Sequence, residues 1–362
     1  MARALMAASR EIEVLVLGGG PAGVASAIGF AQAGRDVLLV ERRTFPRPKV
    51  CGGCLGPLAL GAFEELGFDP TRLATAAPLS RTRVATGGAQ ASLDLPAGLA
   101  VDRAELDAHF VDFAVEQGVD VRHGVRARLA ARSESGRTVH LESADGCTGV
   151  EAKLAIVATG LRRAEAGDGA ARVGLGATRD TGAGPPAGEV WMAADQGNYV
   201  GMTRYADGRL NVACSVAATA IATHAPGAVV DQILEAAGLD ALGWERWTGT
   251  PPLRTEPEQR NRRHVLACGD ASGFWEPFTG EGIGWGVAAG VRLANTAGAL
   301  IDDWSDGVAE GWMREHHAWL RAAQTKSRRV AALTDRPRLA RWALGLLNHA
   351  PAAGRWLVLR GA

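Results

Sequence analysis

Three glycines and one acidic residue near the N-terminus have the spacing of a dinucleotide-binding site. Gly18, Gly20 and Gly23 form the pattern G-x-G-x-x-G, and Glu41 follows eighteen residues after the last glycine. In such a site the first glycine permits a sharp turn, the second lets a pyrophosphate approach the backbone, and the third lets a helix lie close to a strand. The carboxylate is then placed to accept hydrogen bonds from a ribose.

The segments around these glycines supply the elements that the motif requires. An apolar run at 14–17 leads into the glycines, an alanine-rich helical segment follows, and a second apolar run at 37–40 ends on Glu41. This order predicts a strand, a tight turn, a helix and a second strand. The helix N-terminus offers free N–H groups to phosphates. Residues 14–34 carry no charge, but their glycines and proline argue against a membrane-spanning helix.

Two further stretches contain polar residues in a comparable setting. The sequence V-D-R-x-x-L-D at 101–107 opens a predicted helix, and a predicted strand at 264–268 runs into Gly269 and Asp270. A carboxylate such as Asp270 can accept hydrogen bonds from the hydroxyls of a sugar alcohol. The glycine-rich turn at 280–284 opens a long predicted helix, whose N-terminal dipole favours negative charge.

Together these three motifs resemble the flavoprotein superfamily with the glutathione-reductase-type FAD fold, in the branch of geranylgeranyl reductases and aromatic hydroxylases. P-x-T-G-E-G-I at 277–283 and K-V-C-G-G-C at 49–54 are similar to the reductases. The resemblance implies an α/β fold. A Rossmann-like FAD-binding domain would be interleaved with an antiparallel β-sheet substrate domain and followed by C-terminal helices.

The resemblance also implies a set of FAD contacts, and the spacing of cysteines and histidines predicts no metal site. Arg103 is similar to the arginine that meets the FAD phosphates. The full set of expected cofactor contacts is Gly18, Gly20, Pro21, Ala22, Gly23, Glu41, Arg42, Arg103, Ala127, Asp270, Pro277, Gly280, Gly282 and Ile283. NAD(P)H is the expected electron donor.

The predicted domains alternate along the chain. We assign 1–57, 100–160 and 260–335 to the FAD-binding domain, 58–99 and 161–259 to the substrate domain, and 336–362 to a C-terminal helical segment. A hairpin is predicted on both sides of Gly87 and Gly88, and antiparallel strands at 171–178, 188–194, 197–205 and 209–217.

Cys51 and Cys54 have three interpretations that the sequence leaves open. The resemblance places Cys51 near the flavin ring, where it could donate a proton. The pair could instead be a redox dithiol, although 162–260 lacks the second dinucleotide fingerprint that such enzymes need, or an inert pair of loop thiols. Zinc would require two further ligands with suitable spacing, and the sequence has none.

The predicted function is FAD-dependent reduction of a carbon–carbon double bond in a hydrophobic, isoprenoid-like substrate. Reduced flavin would deliver hydride and Cys51 a proton. One alternative is a monooxygenase that hydroxylates an aromatic or polyketide substrate with NAD(P)H and O₂. Another is a flavin-binding redox sensor without turnover, acting through Cys51 and Cys54.

Composition and the chain ends bear on partners and location. The net charge of zero argues against nucleic acid as a partner, and the sequence indicates no obligate protein partner. The N-terminus lacks the apolar core of a signal peptide, so we expect a cytoplasmic protein. Residues 336–362 hold five arginines, no acid and an apolar stripe: Leu339, Trp342, Ala343, Leu346 and Leu347. This segment either lies on a membrane surface or packs across the domains.

Overall fold

The computed structural model describes residues 10–132, 136–161, 172–253, 264–274, 278–298 and 300–349. They form an α/β architecture on two large sheets. The strands are β1 Arg10–Leu17, β2 Val37–Glu41, β3 Cys54–Leu55, β4 Ala77–Thr86, β5 Ala89–Ala100, β6 Asp120–His123, β7 Arg126–Arg132, β8 Arg137–Ser143, β9 Gly146–Val157, β10 Arg172–Arg179, β11 Glu189–Asp195, β12 Asn198–Arg204, β13 Leu210–Ala217, β14 Thr248–Pro252 and β15 Val265–Ala267.

The helices pack against these sheets and against one another. They are α1 Pro21–Gln32, α2 Pro57–Leu66, α3 Arg103–Glu116, α4 Ala218–Thr223, α5 Pro226–Ala236, α6 Gly282–Ala297, α7 Asp306–Thr334 and α8 Pro337–His349. Short 3-10 turns occur at Pro70–Arg72 and Gly269–Ser272. Within the described ranges, no helix is both long and apolar enough to cross a membrane.

The first sheet has the strand order β6-β2-β1-β9-β8-β7, with β15 beside β9. Its parallel part joins β6, β2, β1, β9 and β15. Leu15 of β1 and Leu38 of β2 are fully buried, which accounts for the unbroken apolar runs in the sequence. Because these strands are parallel, β1, β2, β9 and β15 end at the same edge of the sheet. The glycines of the first motif, Glu41 and Asp270 follow strands at that edge.

The second sheet has the order β14-β10-β13-β12-β11-β4-β5-β3. The predicted hairpin around Gly87 and Gly88 is confirmed as β4 and β5. The expectation of an antiparallel sheet was wrong for one pair, since β4 and β11 run parallel. The chain leaves this sheet after β5 and returns at β10, so no hairpin constrains the direction of β11 relative to β4. The domain limits stay a prediction; strand β3 of the second sheet falls within the range 1–57 that the prediction assigns to the FAD-binding domain.

Helices α1 and α6 pack backbone to backbone beside the first sheet. A Cβ atom on Gly290 would lie 2.4 Å from the Ala22 carbonyl oxygen, and one on Gly29 would lie 2.6 Å from the Ala294 Cβ. Glycine at these positions permits the close approach. The start of α1 is thereby fixed relative to α6, which begins in the third sequence motif.

Candidate active site

The glycines of the first motif divide into two that pack and one that faces open space. Gly18 has φ +116°, and a Cβ there would lie 2.4 Å from the Ala158 carbonyl oxygen. A Cβ on Gly23 would lie 1.9 Å from the Gly18 carbonyl oxygen. A Cβ on Gly20, the residue before Pro21 at the start of α1, would meet nothing within 4 Å. The backbone at Gly20 therefore has room for a ligand beside the helix N-terminus.

Glu41 connects the glycine turn to the loop after β2. Its carboxylate is buried and accepts hydrogen bonds from the Gly19 N–H at 2.9 Å and the Arg43 N–H at 3.0 Å. The Arg47 guanidinium lies 3.6 Å from the same carboxylate. The residue predicted to bind a ribose thus also holds two loops together at the edge of the sheet.

Arg103 forms a buried ion pair at the start of α3. Its guanidinium donates to both Asp107 oxygens, at 2.8 and 2.9 Å. Burial by itself would lower the pKa of Arg103, but the adjacent Asp107 and Cys51 raise it above its ordinary value. Arg47 lies 3.8 Å from Asp107, so the second motif meets the loop after β2.

Asp270, which belongs to the third motif, lies in the same charged region as Arg103. It lies in the 3-10 turn after β15, where burial raises its pKa while Lys49 and Arg103 act in the opposite direction. Lys49 remains accessible to solvent, yet the surrounding protein lowers its pKa, and the charges of Arg103 and Arg47 lower it further. The buried Arg47 Nε has no hydrogen-bond partner among the described residues. These cations therefore offer a binding region for an anionic group.

Two histidines of α7 hold the turn that carries Asp270. The Ser272 hydroxyl donates to the Gly269 carbonyl at 2.7 Å and lies 2.7 Å from the His316 Nε2. The His317 Nε2 lies 3.1 Å from the Ser272 carbonyl oxygen. His316 is fully buried and stacks on Trp312, and burial, followed by the charges of His317 and Arg292, lowers its pKa to about 4. Neutral His316 therefore donates its Nε2 proton to Ser272.

Side chains of the second sheet hold the Cys51 loop. The Asn211 amide donates to the Cys51 and Gly52 carbonyls at 3.0 and 3.1 Å, and the Thr203 hydroxyl donates to the Gly52 carbonyl at 3.1 Å. The half-buried Cys51 also interacts with Arg103. This loop therefore bridges the charged cluster and the second sheet.

Cys54 lies beside the glycine-rich turn that precedes α6. Its thiol donates to the Gly52 carbonyl at 3.6 Å, and a Cβ on Gly280 would lie 3.3 Å from the Cys54 Cβ. Burial, together with Cys51, raises the pKa of Cys54 to about 12. Both cysteines are free thiols, and the dithiol interpretation stays a prediction.

The remaining predicted contacts occupy different parts of the region. Gly282 begins α6, and Ile283 is buried in the core. The Ala22 side chain packs against Gly269 and Gly286. Pro277 lies outside the described residues. Arg42 lines a cavity of about 400 Å³ together with Arg43, Gly124, Arg126, Glu142 and Ser143, and Ala127 is the next residue along β7.

Sequence reasoning missed several residues that position this region. Arg47 and Lys49 had a signal, the run of basic residues after Glu41. Thr203, Asn211 and His316 had none, because they belong to no recognisable spacing. No group of three or more potential metal ligands occurs among the residues that the structure describes.

Sequence comparisons find relatives among flavoproteins. A family model described as an FAD binding domain matches residues 11–177. The menaquinone reductase of Mycobacterium tuberculosis is 37% identical over 163 residues, which are 43% of this chain and only 40% of that protein. The menaquinone reductase of Mycolicibacterium smegmatis is 29% identical over 90% of this chain and 85% of its own length. The geranylgeranyl diphosphate reductase of Rhodobacter capsulatus is 27% identical over 84% of this chain and 81% of its own length.

Solved structures share the fold at low sequence identity. A geranylgeranyl bacteriochlorophyll reductase-like protein from Thermoplasma acidophilum has a TM-score of 0.71 at 17% identity, covering 91% of this chain and 88% of that one. PqsL of Pseudomonas aeruginosa, described as a probable FAD-dependent monooxygenase, has a TM-score of 0.72 at 18% identity. The match covers 91% of this chain and 98% of PqsL. Reductase-like and monooxygenase-like proteins therefore both have this fold.

Proposed function

We propose that this chain, whose residues 11–177 match a family model described as an FAD binding domain, is an FAD-dependent reductase of a carbon–carbon double bond in a hydrophobic, isoprenoid-like substrate. The observation that carries the proposal is the position of Cys51. It lies between Arg103 and the second sheet, on a loop that Thr203 and Asn211 fix. The names of the relatives, which refer to reductions of menaquinone and of geranylgeranyl compounds, support the substrate class.

The residues of the first sheet fit an anionic dinucleotide. The space beside Gly20 accommodates a pyrophosphate, and the unpartnered Nε of Arg47, with Lys49 and Arg103, supplies positive charge for it. In this proposal Asp270 accepts hydrogen bonds from ribityl hydroxyls. The open surface depression at Arg42 and Arg126 would receive the nucleoside in this proposal. FAD, when bound and reduced, supplies the hydride, and NAD(P)H is the proposed source of electrons.

In the proposed reaction a side chain of this protein donates the proton, and other side chains hold that donor in position. Hydride addition to one carbon of a double bond leaves the neighbouring carbon in need of a proton, and a thiol is a competent acid. The Cys51 Sγ accepts a hydrogen bond from the Gly53 N–H at 3.4 Å, which restricts its orientation. In this proposal Cys51 donates the proton, and Thr203 and Asn211 keep its loop in place.

Two other functions remain candidates. The fold shared with PqsL favours a monooxygenase, in which O₂ would be consumed together with NAD(P)H. The two free thiols at 51 and 54 favour a redox sensor without turnover. We also propose a cytoplasmic location with a peripheral membrane contact through residues 336–362, since that segment is basic and partly apolar.

Reoxidation of the flavin without oxygen tests the proposal. The purified protein should be yellow and release FAD on denaturation. After reduction with dithionite under argon, geranylgeranyl diphosphate should reoxidise the flavin and yield a product that is two hydrogens heavier and has one carbon–carbon double bond fewer. Oxygen consumption coupled to NAD(P)H oxidation, with no anaerobic reoxidation, would favour the monooxygenase. A flavin that neither substrate nor O₂ turns over would favour the sensor, and colourless protein that fails to bind added FAD would contradict all three.

A further inference from the structure

Helix α8 is fastened to the second sheet by one face. Ala340 and Leu344 are buried on that face. The Asn348 amide donates to the Gln90 carbonyl of β5 at 2.7 Å, and the Arg341 side chain packs against Gly87 at the tip of the β4–β5 hairpin. The helix therefore has a fixed orientation on the hairpin, and its opposite face points away from the protein.

That opposite face carries large apolar side chains. Leu339, Trp342 and Leu346 are 40%, 64% and 47% exposed. At about 100° per residue they fall within about 60° of the helix circumference, so they form one stripe. Two of the five residues of the predicted stripe, Ala343 and Leu347, are instead partly covered. We call Leu339, Trp342 and Leu346 the outer stripe.

The polar residues around the outer stripe are basic. Arg336 and Arg338, at the start of the outer stripe, are exposed, and residues 336–349 contain no acid. An exposed apolar stripe with tryptophan and flanking arginines is the composition of helices that lie in a bilayer interface. The arginines favour lipids with negative headgroups, at about 1 kcal/mol for each basic residue near the surface.

We propose that the outer stripe of α8 docks on an anionic phospholipid bilayer, with the helix axis in the plane of the interface. A second copy of this face offers no acidic residue of α8 to pair with Arg336 and Arg338, whereas an anionic headgroup layer offers negative charge to both.

Docking through α8 brings the second sheet to the bilayer, because the helix lies on the β4–β5 hairpin of that sheet. This consequence rests on the proposed function, since it matters for a substrate dissolved in lipid. A hydrophobic substrate would then leave the bilayer beside the second sheet, in which the hairpin tip and the Cys51 loop lie at opposite ends of β5. The docking surface itself requires neither FAD nor turnover.

Vesicle co-sedimentation of the full chain tests the docking surface. We expect binding to vesicles of equal parts phosphatidylglycerol and phosphatidylcholine, weaker binding to phosphatidylcholine alone, and loss of binding at high salt. The triple variant Leu339→Ser, Trp342→Ser, Leu346→Ser should bind at least about tenfold more weakly, since each side chain loses apolar burial in the interface. The matched control is Leu58→Ser, Val115→Ser, Leu300→Ser, whose residues are 38%, 54% and 39% exposed elsewhere on the protein.

Equal binding by both triple variants, or equal binding to neutral and anionic vesicles, would overturn the proposal. A dimer in light scattering that the α8 variant abolishes, in a protein that does not bind vesicles, would assign the stripe to a second copy instead. Unchanged melting temperatures would show that both variants fold. Vesicle binding by a protein that reduces no substrate would contradict the proposed function and leave this inference standing.

Discussion

The two sheets keep their functional residues in place by different means. At the edge of the first sheet, backbones approach so closely that a Cβ atom does not fit on Gly18 or Gly23. At the second sheet, hydrogen bonds from two side chains, those of Thr203 and Asn211, hold the Cys51 loop. The first arrangement tolerates almost no change, whereas the second can be weakened in steps. Binding of a cofactor and the rate of chemistry should therefore respond to different substitutions.

Substitution of a packing glycine should have the largest effect. In Gly23→Ala the new Cβ would lie 1.9 Å from the Gly18 carbonyl oxygen, so α1 must move off β1. We expect a loss of at least about 3 kcal/mol in the free energy of unfolding, measured by urea denaturation of the apoprotein. The matched control Gly20→Val has open space around it and should fold normally while losing FAD. Equal stability of the two variants would show that Gly23 is not a packing position.

Substitution of the predicted proton donor should act on chemistry alone. Cys51→Ser should leave FAD content and flavin reduction intact, and slow anaerobic reoxidation by substrate by about 10²- to 10⁴-fold in stopped-flow absorbance, the usual range for a positioned acid. Cys54→Ser is the control and should have a much smaller effect, since its thiol is buried beside Gly280. Equal losses would indicate a redox pair, and no loss from either would remove Cys51 from the mechanism.

Acid should loosen the support of the Asp270 turn. The pKa of His316 is lowered from 6.5 to about 4, so its contribution to stability is fully present above pH 6.5 and is lost as the pH falls toward 4. The expected loss is about 3 kcal/mol over that window. His316→Phe, compared with the exposed control His109→Phe, should flatten this part of the curve of unfolding free energy against pH. Identical curves for the two variants would contradict the assignment.

Removal of the ribityl acceptor should weaken FAD binding moderately. Asp270→Ala deletes one hydrogen-bond acceptor, which is worth about 1–3 kcal/mol, or about 5- to 150-fold in affinity. Fluorescence titration of the apoprotein with FAD measures the change. Asp270→Asn keeps a carbonyl acceptor and should recover part of the loss. Unchanged affinity in Asp270→Ala would show that this carboxylate contacts no part of the cofactor.

Loosening of the Cys51 loop from the second sheet should have the smallest effect. Asn211→Ala removes two hydrogen bonds, which together contribute about 1–2 kcal/mol to the loop position. We expect about 5- to 30-fold slower reoxidation by substrate and an unchanged FAD affinity. Asn198→Ala is the control, since that amide accepts from the Ala217 N–H, away from the loop. A loss of FAD affinity in Asn211→Ala would mean that the two sheets are not independent.

The difference between close backbone packing at the first sheet and side-chain hydrogen bonds at the second also explains what could be predicted from the sequence. The first motif was predictable because its parts are close in sequence and each glycine has a local reason. The contacts of Thr203 and Asn211 with the Cys51 loop span 151 to 160 residues, and no spacing rule connects them. The parallel direction of β11 beside β4 was equally hidden, since alternation marks a strand but not its orientation. In α8 the apolar pattern predicted a stripe without showing which side of it the protein covers.

The second sheet is assembled from two stretches that lie far apart in the sequence, and this affects the nascent chain during translation. Residue 81 of β4 pairs with residue 189 of β11, so the early hairpin emerges 108 residues before its partner strand. At about 5–20 residues per second, one strand edge stays unpaired for roughly 5–20 s of translation. An unpaired edge invites association with other chains. A chain truncated near residue 160 would keep that edge permanently and should accumulate as aggregates, even though it retains the whole glycine motif and Glu41.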